Sequence, residues 1–209
     1  MEYIEGEFWT SGQRKASSIH EISYRACFKP QLPEYFIRRY TKTGDTVYDP
    51  FMGRGTTVIE AALLGRQVIG NDINPLSRIL VLPRLQVPDM EKVKSRLQEI
   101  PRGWKESPEM DLTMFYHRDT LSEIMALRET LKFDGVDLWI RMVATNRLTG
   151  HSRGFFSVYT LPPNQAVSPQ QQVKINRRLG QKPEYRDTHA IIIKKSRSLM
   201  RSLTAQDIE

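Results

Sequence analysis

Gly44–Asn74, GDTVYDPFMGRGTTVIEAALLGRQVIGNDIN, decides the fold. Thr43-Gly44-Asp45 has turn chemistry, and Thr46-Val47-Tyr48 reads as a short buried strand that stops at Asp49-Pro50. A glycine-containing loop follows, Phe51-Met52-Gly53-Arg54-Gly55. From Thr56 to Leu64, Val58, Ile59, Ala61, Ala62 and Leu63 make a broad apolar stripe at helical spacing, with Gly65 as its stop. Gln67-Val68-Ile69-Gly70 reads as a second buried strand, closed by Asn71-Asp72-Ile73-Asn74-Pro75. Strand, helix and strand in this order form a βαβ unit.

Upstream, Lys29-Pro30 sets a turn, and Leu32, Tyr35, Phe36 and Arg39 predict a helix over 31–40. Downstream of Leu76 helix signals dominate. Apolar residues three or four apart predict helices over 91–100, 121–131, 136–148, 169–179 and 189–203, while Leu112–Tyr116 reads as a further strand. Gly150–Ser168 has no clean period and reads as a long ordered loop. The expectation is an α/β protein with an incomplete sheet at residues 1–82 and a mainly helical segment at 83–209.

The chain has 209 residues, 39% hydrophobic and 26% charged, which allows a real core and argues against wholesale disorder. No stretch nears the roughly 18 apolar residues of a membrane helix, and MEYIEGEFWT lacks the basic-then-apolar order of a secretory signal. A soluble, cytoplasmic protein without a membrane partner is expected. A single cysteine, Cys27, excludes an internal disulfide and a thiol-rich zinc site, and His20, His117, His151 and His189 stand at no ligand spacing. No metal is expected. The charge is uneven: residues 150–209 hold ten Lys or Arg against four Asp or Glu. A segment this basic attracts polyanions, nucleic acid first, although a solvated helix face gives the same count.

The chemistry is carried by the βαβ unit. Asp49 and Asp72 close its two strands, 23 positions apart, around a loop whose glycines let backbone approach a ligand. An acid at the end of the second strand suits ribose hydroxyls. The loop is not G-x-G-x-x-G, and Thr56-Thr57 brings no phosphate-reaching lysine, so neither a dinucleotide nor a nucleoside triphosphate is well served.

The run D-P-F, G-R-G-T-T, L-G-R and I-G-N-D resembles the S-adenosylmethionine-binding region of the DNA amino-methyltransferases, which modify the exocyclic amine of adenine or cytosine. The match covers about 55 residues, His20 to Asn74, and includes Phe28-Lys29-Pro30 ahead of the loop, as in members with permuted motif order. The resemblance implies a Rossmann-like methyltransferase core, S-adenosylmethionine as cofactor, DNA as partner and a place in restriction-modification. Backbone around Asp49, Pro50, Phe51, Gly53 and Gly55 would surround the methionine part. Asp72 would hold the ribose, Ile73 and Asn74 would flank the adenine, and Thr56 and Thr57 would open a helix towards the carboxylate. A turn at Gly53 and Gly55, a cap at Asp72 and a proline-positioned Lys29 are the plainer readings of the same residues.

The family's second motif, [D/N/S]-P-P-[Y/F/W], is not evident. Leu161-Pro162-Pro163-Asn164 has leucine where a hydrogen-bond acceptor is needed and asparagine where a ring stacks on a flipped base. No catalytic residue is assigned. The expectation is a cofactor-binding part whose catalytic strand lies beyond Glu209 or on a second chain, with the basic helices, and Phe155, Phe156 and Tyr159, near DNA or in the core. Direct transfer to an amine needs no cysteine nucleophile, so Cys27 is expected to be structural and cytosine C5 chemistry is disfavoured. A non-catalytic subunit and an RNA amino-methyltransferase are the rival expectations.

Overall fold

The computed structural model describes residues 16–24, 27–106, 108–159 and 167–204. Contacts group the chain into two compact units, residues up to 87 with 199–208, and residues 88–198.

The first unit contains α1 (Gln31–Tyr40), β1 (Thr46–Asp49), α2 (Thr56–Leu63), β2 (Gln67–Gly70) and α3 (Pro75–Leu85). The strands pair in parallel, with Val47 beside Val68 and Tyr48 beside Ile69. The ladder runs past the strand ends, since Asn71 N–H donates to Asp49 O and Met52 N–H to Asn71 O, both at 2.9 Å. This pins the glycine loop to the C-terminal edge of the sheet. Helix α2 packs against both strands, and its Val58, Ile59 and Ala61 are each at most 1% exposed.

The strands themselves are not buried as their apolar content predicts. On the face that alternation sets opposite Val47 and Val68, Tyr48 is 58% and Ile69 55% exposed. Parallel strands normally have both faces covered, and among the described residues this sheet has two strands. The physical reason is a missing layer over this face among the described residues.

Helix α3 is not anticipated by the apolar pattern. Asn74 accepts from Leu76 N–H at 3.0 Å and Pro75 occupies the first turn, where its missing N–H costs nothing. Pro83, inside the last turn, masks the helix in the sequence.

The second unit contains α4 (Met90–Glu99), α5 (Arg118–Thr130), α6 (Gly135–Arg147), α7 (Pro169–Leu179) and α8 (Thr188–Met200) up to Ser198. Trp139 is fully buried and donates to Ser196 Oγ at 2.9 Å. Asp137 is gripped by Arg96 at 2.6 and 3.1 Å and by Lys132 N–H at 2.9 Å. Buried Glu123 accepts from Thr188 N–H and Oγ1 and from the Tyr185 hydroxyl. Leu112–Tyr116 is turn, not strand. Asp111 takes the N–H and hydroxyl of Thr113, and the amides of Phe115 and Tyr116 both return to Leu112 O, so three of the five amides are spent on local turns. Phe156 is core, at 1% exposure, whereas Phe155 lies under the Arg147 guanidinium at 4.0 Å and Tyr159 donates to Lys182 O. Leu161-Pro162-Pro163-Asn164 lies outside the described residues.

Candidate functional site

The loop between β1 and α2 is held by hydrogen bonds from several directions. Asp49 Oδ1 accepts from Phe51 N–H at 3.0 Å, turning the chain as it leaves β1. Gly53 and Gly55 then take φ of +52° and +79°, in the left-handed region. At Gly55 space is also decisive: a Cβ would stand 2.5 Å from Val81 Cγ2 of α3. Gly55 N–H returns to Met52 O at 2.6 Å, and α2 starts at the next residue.

Asp72, just past β2, reaches into this loop. One carboxylate oxygen accepts Gly53 N–H at 2.7 Å, the other Asn74 N–H at 2.8 Å. The backbone N–H groups of Asn74 and Gly53 hold its pKa below the usual carboxylate range. A carboxylate has about four acceptor positions, so two remain for further hydroxyl donors.

Two arginines fasten the loop's other side. Arg54 Nη1 donates to Ile22 O at 2.7 Å and its Nε to Thr56 Oγ1 at 3.1 Å. Buried Arg84 of α3 donates to Leu80 O, Ile19 O and Arg54 O. Burial, then the charge of Arg54, pushes the Arg84 pKa down to about 9, so it stays a cation at neutral pH with carbonyls around it. Tyr24 completes the frame: its ring edge is the neighbour a Cβ at Gly53 would meet at 3.5 Å, and its hydroxyl accepts from Asn74 Nδ2 at 3.4 Å.

A cavity of about 430 Å³ opens here, lined by Phe28, Asp49, Phe51, Gly53, Thr56 and Thr57 from the sequence-derived set. Tyr24, Cys27, Tyr48, Met52 and Arg54 line it as well. Gly55 caps α2 without a side chain, so no side-chain oxygen covers the first amides of the helix, where Thr56 and Thr57 face the cavity. Asp72, Asn74, Gly55, Pro50, Lys29, Pro30 and Ile73 lie outside this lining. Asp72 holds the loop through Gly53 N–H, Gly55 caps α2, and Asn74 caps α3. Pro30 is buried at the start of α1, whereas Lys29 and Pro50 are exposed. Ile73 is fully exposed and Phe51 is 86% exposed, which leaves two large apolar side chains beside the strand ends in water. Arg54 is legible as part of the glycine loop; Tyr24 and Cys27 carry no local signal. Among the described residues no cluster of His, Cys, Asp or Glu is arranged to hold a metal, and no helix is long and apolar enough to cross a membrane.

Residues 3–77 match the family model described as DNA methylase. The chain is 37% identical over 97 residues to the type II methyltransferase M.MjaII of Methanocaldococcus jannaschii, covering 46% of this chain and 18% of that one. It is 37% identical over 101 residues to the type II methyltransferase M.BsoBI of Geobacillus stearothermophilus, covering 47% and 19%. It is 28% identical over 121 residues to the type II methyltransferase M.MvaI of Kocuria varians, covering 56% and 25%. The chain thus spans about a fifth to a quarter of the length of these relatives. No solved structure matches it. The likeness of the N-terminal segment to the DNA amino-methyltransferases therefore stands on a family model and on several relatives, besides the loop residues themselves.

Proposed function

We propose that the βαβ unit is the Rossmann-like S-adenosylmethionine-binding part of a DNA methyltransferase acting on the exocyclic amine of adenine or cytosine, in permuted motif order. The observation that carries this reading is the cavity at the C-terminal ends of two parallel strands, faced by the uncapped N-terminus of α2. Ligands of open α/β sheets bind at that edge, and about 430 Å³ is within the usual range of ligand pockets.

The residues present fit the cofactor. The first turn of α2, with Thr56 and Thr57, receives the amino-acid carboxylate, because helix N-termini offer N–H groups and positive dipole. Asp72 takes ribose hydroxyls on the acceptor positions that Gly53 and Asn74 leave open. Ile73 and Asn74 flank the adenine, the role that best accounts for an isoleucine left fully in water. Phe28, Lys29 and Pro30, with Asp49, Pro50 and Phe51, close the methionine side. When bound, the cofactor supplies a methyl group already activated by the sulfonium charge. The chain's own contribution is binding and orientation, with no nucleophile of its own. Cys27 is exposed on the cavity wall and has no task in such a transfer.

The bare Tyr48 and Ile69 face supports a sheet completed by further polypeptide, either more of this chain or a separate subunit. That addition brings the catalytic tetrapeptide. The segment 83–209 is then a mainly helical insertion that contacts DNA, and the protein works in the cytoplasm in restriction-modification.

Methyl transfer from labelled S-adenosylmethionine to duplex DNA, measured for this chain alone and with candidate partner chains, tests the reading. Incorporation at N6 of adenine or N4 of cytosine supports it. Incorporation into transfer RNA instead points to an RNA enzyme, and cofactor binding without any transfer points to a non-catalytic subunit.

A further inference from the structure

Between Asp137 and Glu184 lie 46 residues without a single Asp or Glu, among them Arg141, Arg147, Arg153, Lys174, Arg177, Arg178 and Lys182. Within this stretch α7, PQQQVKINRRL, is the element that shows its charge most openly. Its ends are well defined: Ser168 Oγ accepts Gln171 N–H, Pro169 occupies the first turn, and Gly180 stops the helix at φ +59°.

The inner side of α7 is held by amides. Gln172, 2% exposed, donates to Asn176 Oδ1 at 2.7 Å, and Gln181 donates to the same oxygen at 2.9 Å. Asn176 in turn donates to Met114 O at 2.9 Å. The outer side is different. Gln170, Lys174 and Arg177 stand at i, i+4 and i+7, with Gln171 and Arg178 alongside, and all five are exposed. None of these side chains has a hydrogen bond or ion pair to a described residue. A face that served only solubility would interleave both signs and gain Glu-to-Lys pairs along the helix. This one offers amides and cations alone.

We propose that the outer face of α7 enters the major groove of duplex DNA and reads bases there. This rests on the reading of the protein as a DNA methyltransferase and goes beyond it by naming the element that sets the recognised site. Eleven residues give a rod of about 16 Å, and a groove about 12 Å wide admits one helix. Gln pairs two-fold with adenine N6 and N7, and Arg with guanine O6 and N7. Lys174 and Lys182 neutralise phosphates, which positions the helix without specifying sequence.

The test uses the whole chain and a pool of short duplexes with a randomised centre. Bound duplexes are sequenced, and affinity is followed against salt. The Lys174→Ala, Arg177→Ala, Arg178→Ala triple variant is expected to bind at least about tenfold more weakly, with a log–log salt slope shallower by about 1 for the lost Lys174 phosphate contact and weaker selection for guanine. Gln170→Ala with Gln171→Ala is expected to change the enriched bases at one or two positions while leaving affinity for random duplex intact. Binding of S-adenosylhomocysteine and the circular dichroism spectrum serve as folding controls for both variants. Duplex binding, salt slope and base preference all unchanged in these variants would overturn the assignment and leave the methyltransferase reading standing. A chain that binds no duplex, or that binds transfer RNA or single strands in preference, would overturn both.

Discussion

The backbone amide of Gly53 donates to the carboxylate of Asp72 at 2.7 Å, so the acid that ends the second strand fixes the loop that follows the first. Asp72 is therefore a loop-positioning group as well as the candidate ribose acceptor. Its second amide partner, Asn74, carries the chain into α3. Asp72→Asn keeps an acceptor and is expected to hold the loop better than Asp72→Ala. Amide exchange at Gly53 and Asn74 checks this: slow in the wild type, intermediate in the asparagine variant and fastest in the alanine variant.

Gly55→Ala meets two penalties at once, a left-handed φ and the side chain of Val81. A loss of about 2–4 kcal/mol in urea unfolding of the first unit is expected from strain plus overpacking. Gly53→Ala, whose Cβ would reach the Tyr24 ring at an ordinary 3.5 Å, carries the strain alone and is expected to lose about 1 kcal/mol. Equal losses in the two variants would count against the close Gly55–Val81 approach.

Ile69→Lys is expected to change stability by no more than about 0.5 kcal/mol, because the side chain is already 55% exposed. A loss near 2 kcal/mol in urea denaturation would show that the face is covered in the isolated chain.

His189 gives the second unit an acid-sensitive element. It is buried; desolvation first, then the charge of Arg102, lowers its pKa, against the opposing pull of Glu123 and Asp187. A depressed value means that the unfolded chain binds the proton more readily. The stability it contributes is thus complete above the unfolded pKa of 6.5 and is lost as pH falls from there towards the folded value. Urea midpoints at pH 7.5 and 5.5 are expected to fall in the wild type and to fall less in His189→Gln.

The elements most legible in the sequence are those specified by a single local signal. Helix α1 and both strands followed from apolar spacing and flanking turn residues, and α2 from its stripe between Gly55 and Gly65. Helix α3 was obscured because its start depends on an Asn74 cap and Pro75, which read equally as the end of a strand. Leu112–Tyr116 has strand-like residues, yet Asp111 starts a local turn that takes their amides. At the site, Asp49, Phe51, Gly53 and the threonines, which line the cavity, lie in the run D-P-F, G-R-G-T-T that carries the resemblance to the DNA amino-methyltransferases. Tyr24 and Cys27 reach the cavity only through the course of the chain before α1, which no local pattern encodes.

The most direct test is calorimetric titration of the chain with S-adenosylhomocysteine, alongside Asp72→Ala. Saturable binding at one site, weakened by about 1–3 kcal/mol in the variant, is the expected result for loss of hydrogen bonds to a charged acceptor. A wild-type chain that gives no binding heat, or a folded Asp72→Ala chain with unchanged affinity, would contradict the assignment of this cavity and of the nearby Asp72 to an adenosyl cofactor.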